Sequence, residues 1–227
     1  MKDSKTYGQR VSKLFRSLKQ KYTKTKKIEF GDPAYALVYA IVSERTRAST
    51  AKTILRRLER HFVDLNDLRV SRTEEILEVL GSSSQDYRKT ASVLIQVLNS
   101  IYNRYNMVSL TPLTEVGKRE ARKQLEKLDG LSSFAINYCV LVALGGHAIP
   151  LTDKMIGYLR AGELVHPDST DDEIVGFLER QITAANGYEF YSLLRQESEK
   201  AGKPRATRKK AKKAAPKKGK KKAGKGG

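Results

Sequence analysis

Residues 128–153, LDGLSSFAINYCVLVALGGHAIPLTD, contain the side chains of this chain that are best suited to chemistry. Gly130 suits a tight turn that needs positive φ. The exposed amides from about Leu131 to Ser133, at the start of the next helix, would bind a phosphate with help from the helix dipole. Asp153 ends the stretch. It either caps the following helix, with Thr152 as the rival cap, or presents a free carboxylate to a reaction.

Few other side chains of the chain have types and positions that suit chemistry. Cys139 is the only cysteine, which excludes an internal disulfide or a multi-cysteine site, and its apolar surroundings predict a small buried side chain. His147 has no partners at metal-ligand spacing, so we expect no metal site and no cofactor. Tyr35, Tyr39 and Tyr138 lie in apolar helical runs, a position typical of core residues.

Hydrophobic periodicity of three and four residues predicts that helices position these side chains. Asp32-Pro33 predicts an N-cap and first turn, which open the buried helix AYALVYAIVS. Ser71 and Glu74 have the spacing of a capping box, and Gly81 predicts the end of that helix. No convincing alternating strand pattern occurs, so we predict an all-α fold. Further helices are predicted at about residues 85–102, 134–144, 153–160, 171–184 and 188–199.

The formal net charge of +19 comes from the two ends of the chain. Residues 1–27 hold ten basic residues and one acid, and residues 201–227 hold 13 basic residues and no acid. Residues 28–200 hold 21 basic and 24 acidic residues. We therefore predict a basic amphipathic N-terminal helix in 1–27, a helical domain in 28–200 and a separate tail in 201–227.

The tail contains only Lys, Arg, Ala, Gly, Pro and Thr. It has nothing to bury, so we expect it to be disordered. It is either a solubilising tail or a tether that binds polyanions through counterion release. DNA, RNA and an anionic membrane all fit such a charge, but the tail lacks the apolar anchor that a membrane surface favours.

The order of motifs resembles the helix–hairpin–helix (HhH-GPD) DNA glycosylase superfamily, which includes endonuclease III and the adenine-mismatch glycosylase. LDGLS matches the hairpin, and IPLTD matches the apolar-proline segment with its aspartate. Upstream, DPAYALVYAIVSERTRAS resembles the early buried helix and the polar stretch after it. Downstream, GYEFYSLLRQ resembles the last core helix, so the resemblance covers roughly residues 28–197.

This resemblance implies a two-lobed helical fold and base-excision repair of DNA. Asp153 takes the place of the essential aspartate, which would stabilise a developing oxocarbenium ion or activate water during N-glycosidic hydrolysis. The hairpin residues Gly130, Leu131, Ser132 and Ser133 would grip the DNA backbone. Arg45 would enter the gap left by a flipped base or bind phosphate; the alternative, which the residue by itself favours, is an ordinary surface arginine.

Lys154 is a candidate phosphate contact, or alternatively a solvated helix charge. Two departures from the family's pattern bear on mechanism. Ser132 replaces the second hairpin glycine, and Phe134 stands where bifunctional members carry a lysine that attacks the sugar. Phe134 would either pack in the core or wall the pocket. The iron–sulfur cysteines are also absent.

We therefore predict a monofunctional DNA glycosylase that works without a lysine nucleophile. The alternative is a non-catalytic DNA-binding or nucleoid protein with the same fold and a histone-like tail. The expected partner is double-stranded DNA, bound by a monomer. No apolar run reaches the roughly 20 residues of a membrane span, and the N-terminus lacks an apolar signal core. We expect a cytoplasmic or nucleoid protein, nuclear in a eukaryote, and not a secreted one.

The tail makes a testable contribution to DNA binding. Deleting residues 201–227 should flatten the dependence of log affinity on log salt, because each phosphate contact contributes a slope of about −0.9. Binding isotherms on undamaged duplex at several salt concentrations measure the slope. A chain whose 13 tail cations are replaced by glutamine controls for tail length and should match the deletion. An unchanged slope would remove the tether hypothesis.

Overall fold

The computed structural model describes residues 3–23 and 26–201, and these fold entirely into helices and connecting turns. No strand occurs within them, so the prediction of an all-α fold is confirmed. The α-helices are α1 (Ser4–Lys21), α2 (Pro33–Arg45), α3 (Ala48–His61), α4 (Leu65–Val70), α5 (Thr73–Leu80), α6 (Gln85–Tyr105), α7 (Lys118–Leu125), α8 (Ser133–Val142), α9 (Asp153–Ala161), α10 (Asp171–Gln181) and α11 (Ala184–Lys200). A 3₁₀ turn covers Thr111–Thr114.

The helices form the two lobes that the resemblance implied. Helices α2 to α8 pack against one another in the first lobe, with α2 in contact with α3, α6 and α8. The second lobe contains α1, α9, α10 and α11, from both ends of the described chain; α1 packs on α10 and α11, and α9 packs on α11. Helix α11 also packs on α8 and thereby links the two lobes. None of the described helices is long and apolar enough to cross a bilayer.

Helix α2 is the centre of the first lobe because nearly all its residues from Pro33 to Ser43 are buried. Asp32 caps it as predicted, since one carboxylate oxygen accepts from the Ala34 amide at 2.7 Å. The same oxygen accepts from the Leu110 amide at 3.0 Å, which ties the helix start to the chain before α7. A helix buried on all sides needs this sharp start, because its first amides cannot reach water.

The local signals around α5 were partly misleading. Gly81 ends α5 in the left-handed conformation, at φ +83°, as predicted. The prediction of a capping box at Ser71–Glu74 is wrong. Arg72 occupies the N-cap position, and the Ser71 hydroxyl donates to the Asp67 main-chain carbonyl instead. The structure contains a capping box elsewhere, between Thr170 and Glu173 at the start of α10.

Helix α1 is docked on the second lobe through its apolar face and through ion pairs. Val11 and Leu18 are buried, and the Lys21 amine lies 2.7 Å from a Glu197 carboxylate oxygen that also accepts from the Tyr22 hydroxyl. Lys19 pairs with Glu189 at 3.1 Å. Part of the basic charge of this helix is therefore neutralised within the protein. The proposed tail, apart from Ala201, lies outside the described residues.

A buried guanidinium joins α11 to the end of α2. Arg195 is 3% exposed and donates to the Glu199 carboxylate at 2.9 Å and to the Tyr191 hydroxyl at 3.1 Å. It also donates to the main-chain carbonyls of Ser43 and Thr46. Glu199 in turn accepts from the Ala48 amide at 2.9 Å. One ion pair thus holds the last carbonyls of α2 and the first amide of α3.

Replacing Arg195 by methionine should destabilise the protein by about 3–5 kcal/mol, because Glu199 and two carbonyls lose a buried partner. The free energy of unfolding from urea titration measures this cost. Arg10→Met is the matched control, since the exposed Arg10 guanidinium lies 3.9 Å from the exposed Glu163 carboxylate, and a surface pair of this kind contributes less than about 1 kcal/mol. Equal effects of the two variants would contradict the role given to Arg195.

Candidate functional site

Asp153 is the first residue of α9 and is exposed. The N-cap is Thr152, whose hydroxyl accepts from the Met155 amide at 3.4 Å. Within the described part of the chain, the Asp153 carboxylate forms neither a hydrogen bond nor an ion pair. It lines a cleft of about 710 Å³ between α9 and the end of α11. The carboxylate is therefore open to solvent and is not used to cap the helix.

The hairpin turn before α8 is held by its glycine and by α6. Gly130 has φ +87°, and a Cβ there would come within 2.9 Å of the Gln96 side chain. Both the positive φ and the close approach favour glycine. The Asp129 amide donates to the Ser100 hydroxyl at 3.0 Å, and Leu128 is buried beneath the turn. The turn itself remains exposed at Asp129 and Gly130.

The backbone amides from Gly130 to Phe134 find no acceptor among the described residues. The Ser132 hydroxyl caps α8 by accepting from the Ala135 amide at 3.1 Å. Helix α8 begins at Ser133, so these free amides lie at its positive end. Leu131, Ser132 and Ser133 therefore present main-chain donors that suit an anion.

Glu44 connects the hairpin to the end of α2, and the sequence analysis did not identify it. The Ser132 hydroxyl lies 3.0 Å from a Glu44 carboxylate oxygen. Burial raises the pKa of Glu44 above its ordinary value, and the negative charge of Asp153 acts in the same direction. The Ser132 hydrogen bond, Arg45 and Arg195 oppose this rise in the pKa. Two carboxyl groups thus influence each other beside the hairpin.

Three cationic side chains line a neighbouring depression of about 230 Å³. They are Arg45, Arg47 and Lys154, from the α2–α3 turn and from α9. None of the three forms an ion pair with another described residue. Asp86 is the acid on the same surface. The structure therefore brings together Arg45 and Lys154, which lie far apart in sequence, and adds Arg47, which also lines the cleft of Asp153.

Phe134 is buried, with 4% of its surface exposed. Its ring packs 6.2 Å from that of Tyr138, and the Arg195 guanidinium carbon lies 5.6 Å from its centroid. Tyr138 and Arg195 both line a further cavity, of about 260 Å³. Phe134 therefore packs in the core and at the same time supports two residues that line the cavity.

Of the two other candidate reactive groups, Cys139 lies inside the core and His147 is partly buried. Cys139 is buried as predicted, and burial raises the pKa of its thiol, so the thiol stays protonated. The His147 Nε2 atom lies 2.8 Å from the Glu179 carbonyl oxygen. Residues 3–23 and 26–201 contain no group of three or more His, Cys, Asp or Glu side chains placed to hold a metal ion.

Solved structures of endonuclease III and of DNA glycosylases share this fold. Endonuclease III, trapped as a covalent intermediate with DNA, is 18% identical with a TM-score of 0.65, over 82% of this chain and 84% of that chain. A thermostable thymine-DNA glycosylase is 15% identical with a TM-score of 0.60, over 86% and 85% of the two chains. The 3-methyladenine DNA glycosylase of H. pylori, bound to 1,N6-ethenoadenine, is 17% identical with a TM-score of 0.60, over 84% and 98%.

No family model and no curated protein sequence matches the chain. At 15–18% identity the structural likeness shows the fold. The predicted two-lobed helix–hairpin–helix DNA glycosylase fold is confirmed. The roles of Asp153, of the hairpin amides and of the cationic side chains stay predictions.

The raised pKa of Glu44 has a measurable consequence for stability. Because its pKa is raised, Glu44 keeps its proton in the folded chain over a pH range in which it has lost it in the unfolded chain. The stabilisation that this difference provides is fully present below the ordinary pKa of 4.5. This stabilisation is lost as the pH rises through the raised pKa of Glu44 in the folded chain. Glu44→Gln can still accept from Ser132 and cannot ionise. Its stability relative to the native chain should therefore increase between about pH 4 and about pH 7.

Urea midpoints across this pH range measure the difference. Glu115→Gln is the control, because Glu115 is exposed and has no side-chain partner among the described residues. Its midpoint should follow that of the native chain at every pH. If Glu44→Gln also gives a curve parallel to the native one, the environment assigned to Glu44 is wrong.

Proposed function

We propose that this chain is a monofunctional DNA glycosylase that hydrolyses the N-glycosidic bond of an altered base. The observation that carries the proposal is the free carboxylate of Asp153, which opens into a large cleft on a DNA glycosylase fold. A carboxylate near the sugar would stabilise the positive charge that develops as the base leaves. It would also orient or deprotonate the attacking water.

The free amides of the hairpin support a second part of the proposal. A DNA phosphate bound at Gly130 to Ser133 would be held by main-chain donors and by the positive end of α8. Such a contact is independent of base sequence. It would fix the sugar of a flipped nucleotide relative to Asp153, whose placement decides the rate.

The cationic depression supports the third part. Arg45, Arg47 and Lys154 would bind phosphates flanking the flipped nucleotide, and Arg45 would enter the gap in the base stack. The cations lie around Asp153 and Glu44, so they would offset the repulsion between these carboxylates and the DNA. Binding at this surface would therefore depend on salt even without the tail.

The proposed reaction is a hydrolysis. Water adds to the C1′ carbon of the sugar, the bond from C1′ to the base breaks, and the base leaves with the electron pair and takes up a proton. Asp153 accepts the proton of the water or stabilises the cationic sugar. Since Phe134 replaces the lysine of bifunctional members, no Schiff base forms at that position and the abasic strand stays intact.

Asp153→Asn should reduce the release of free base by about 10²-fold or more, because the amide carries no charge and is a poor base. DNA binding should survive, since the hairpin amides are unchanged. Incubation with a panel of lesion-containing duplexes, followed by detection of the free base, measures this. Asp172→Asn is the matched control, because Asp172 also lies exposed in the first turn of a helix.

Excision that is unchanged in Asp153→Asn would show that the catalytic residue is another one. Tight binding with no release across the panel would instead favour the non-catalytic DNA-binding protein. Borohydride reduction on abasic DNA tests the absence of an amine nucleophile. We expect no trapped adduct, and an adduct would contradict the monofunctional mechanism.

A further inference from the structure

Glu44 is a carboxyl group beside the hairpin that the proposed hydrolysis does not use. It lies in the last turn of α2, next to Arg45, and is half-buried. One of its oxygens lies 3.0 Å from the Ser132 hydroxyl, and the other accepts from no described residue. A carboxylate at this place is unexpected, because the neighbouring hairpin amides are the donors that would hold a DNA phosphate.

The position of Glu44 is fixed by its main chain and by the hairpin. Arg195 donates to the main-chain carbonyls of Ser43 and Thr46, on either side of Glu44. On the hairpin side, the hydroxyl that contacts Glu44 also accepts from the Ala135 amide at 3.1 Å and so caps α8. Glu44 therefore sets the position of the hairpin relative to the end of α2.

The hydrogen bond between Glu44 and Ser132 does not require a charge on Glu44. The Ser132 hydroxyl accepts from the Ala135 amide and keeps its own proton to donate to Glu44. A carboxylate accepts this proton through either oxygen, and a neutral carboxyl group accepts it through its carbonyl oxygen. Glu44 can therefore gain a proton without releasing the hairpin.

A phosphate at the hairpin would act on the charge of Glu44. The Ser132 amide belongs to the residue whose hydroxyl is 3.0 Å from Glu44, so a phosphate on that amide would lie within about 8 Å, the screening length at physiological salt. Two negative charges at such a distance in a partly buried site repel each other. The neutral form of Glu44 removes this repulsion, so phosphate binding favours the neutral form.

The charged groups that face Glu44 act in opposite directions. Burial raises the pKa of Glu44 above its ordinary value, and the charge of Asp153 on α9 acts in the same direction. The Ser132 hydrogen bond, Arg45 at the end of α2 and Arg195 of α11 lower the pKa. Neither arginine forms an ion pair with Glu44. A second negative charge close to Glu44 would therefore shift its equilibrium toward the neutral form.

We propose that Glu44 is a positioning residue that takes up one proton from solvent when a DNA phosphate binds at the hairpin. This inference rests on the proposed function, because the phosphate is the one that the hairpin amides would hold. The proton neutralises the carboxylate, and the hydrogen bond to Ser132 keeps the hairpin in place. DNA affinity therefore increases as the pH falls through the raised pKa of Glu44, and it is constant above and below that range.

Binding to a duplex that cannot be cleaved tests the proton separately from catalysis. The duplex carries a tetrahydrofuran analogue of an abasic site, which has no base to release. Fluorescence anisotropy at constant ionic strength gives the affinity of the full chain from about pH 5 to about pH 8. Over this range the native chain should lose about tenfold more affinity than Glu44→Gln.

Three variants separate the charge of Glu44 from its hydrogen bond. Glu44→Gln keeps an acceptor for Ser132 and cannot ionise, so its affinity should stay near the low-pH affinity of the native chain. Glu44→Ala cannot ionise either but loses the hydrogen bond, so it should bind about two- to tenfold more weakly than Glu44→Gln at every pH. Asp86→Asn is the matched control, because Asp86 is an exposed carboxylate on the cationic depression. Its affinity should exceed the native affinity by the same factor at every pH.

Calorimetry measures the proton directly. Titration with the same duplex near pH 6 in two buffers of different ionisation enthalpy gives the number of protons that binding takes up. The native chain should take up more protons than Glu44→Gln, by at most about one. Equal uptake in the two chains would overturn the proposal, as would parallel curves of affinity against pH. Weaker binding of Glu44→Gln than of the native chain at about pH 5 would also overturn it.

The outcome for Glu44 is independent of the outcome for the glycosylase reaction. If proton uptake follows Glu44 but no base is released from any lesion-containing duplex, the role of Glu44 stands and the proposed activity alone fails. If base is released but no proton uptake follows Glu44, the activity stands and this inference alone fails.

Discussion

The buried cation of Arg195 is the interaction on which the architecture of the site depends. A guanidinium removed from water is tolerated only when its donors are matched, and here a carboxylate, a hydroxyl and two main-chain carbonyls match them. Those carbonyls end α2, and Glu199 takes the first amide of α3. The geometry of the Arg45–Arg47 turn is therefore fixed from the opposite lobe, because α11 belongs to the second lobe and the turn to the first.

The helices could be predicted from the sequence because their periodicity and end signals are local. Asp32 and Gly81 behave as predicted, since a cap needs only a few neighbouring residues to form. The wrong prediction at Ser71 shows what a local sequence pattern cannot determine. Its hydroxyl has a competing acceptor in the Asp67 carbonyl of the preceding helix. The spacing of a capping box is thus compatible with two hydrogen bonds, and only the surrounding chain decides between them.

The residues of the candidate site also fall into two groups, those that a local sequence motif predicts and those that depend on tertiary packing. The hairpin and Asp153 follow from a motif order within one stretch of sequence, and the fold places both at the surface. Glu44, Arg47 and the cavity lined by Tyr138 and Arg195 could not be predicted, because each depends on helices that are distant in the sequence and meet only in the fold. Tyr35, Tyr39 and Tyr138 were predicted as core residues; Tyr39 and Tyr138 are buried, whereas Tyr35 is only half-buried at the edge of the core.

The packing around Phe134 gives a physical reason why an aromatic ring suits this position. The Arg195 charge lies 5.6 Å from the aromatic centroid, an attractive arrangement for a ring and a cation. A protonated lysine at this position would place a second cation against the guanidinium in a buried region, where like charges repel strongly. Arg195 is needed for the turn between α2 and α3, so it cannot be removed to make room. The Phe134 ring is therefore part of the contact between the lobes, and a cationic side chain at position 134 would disturb that contact.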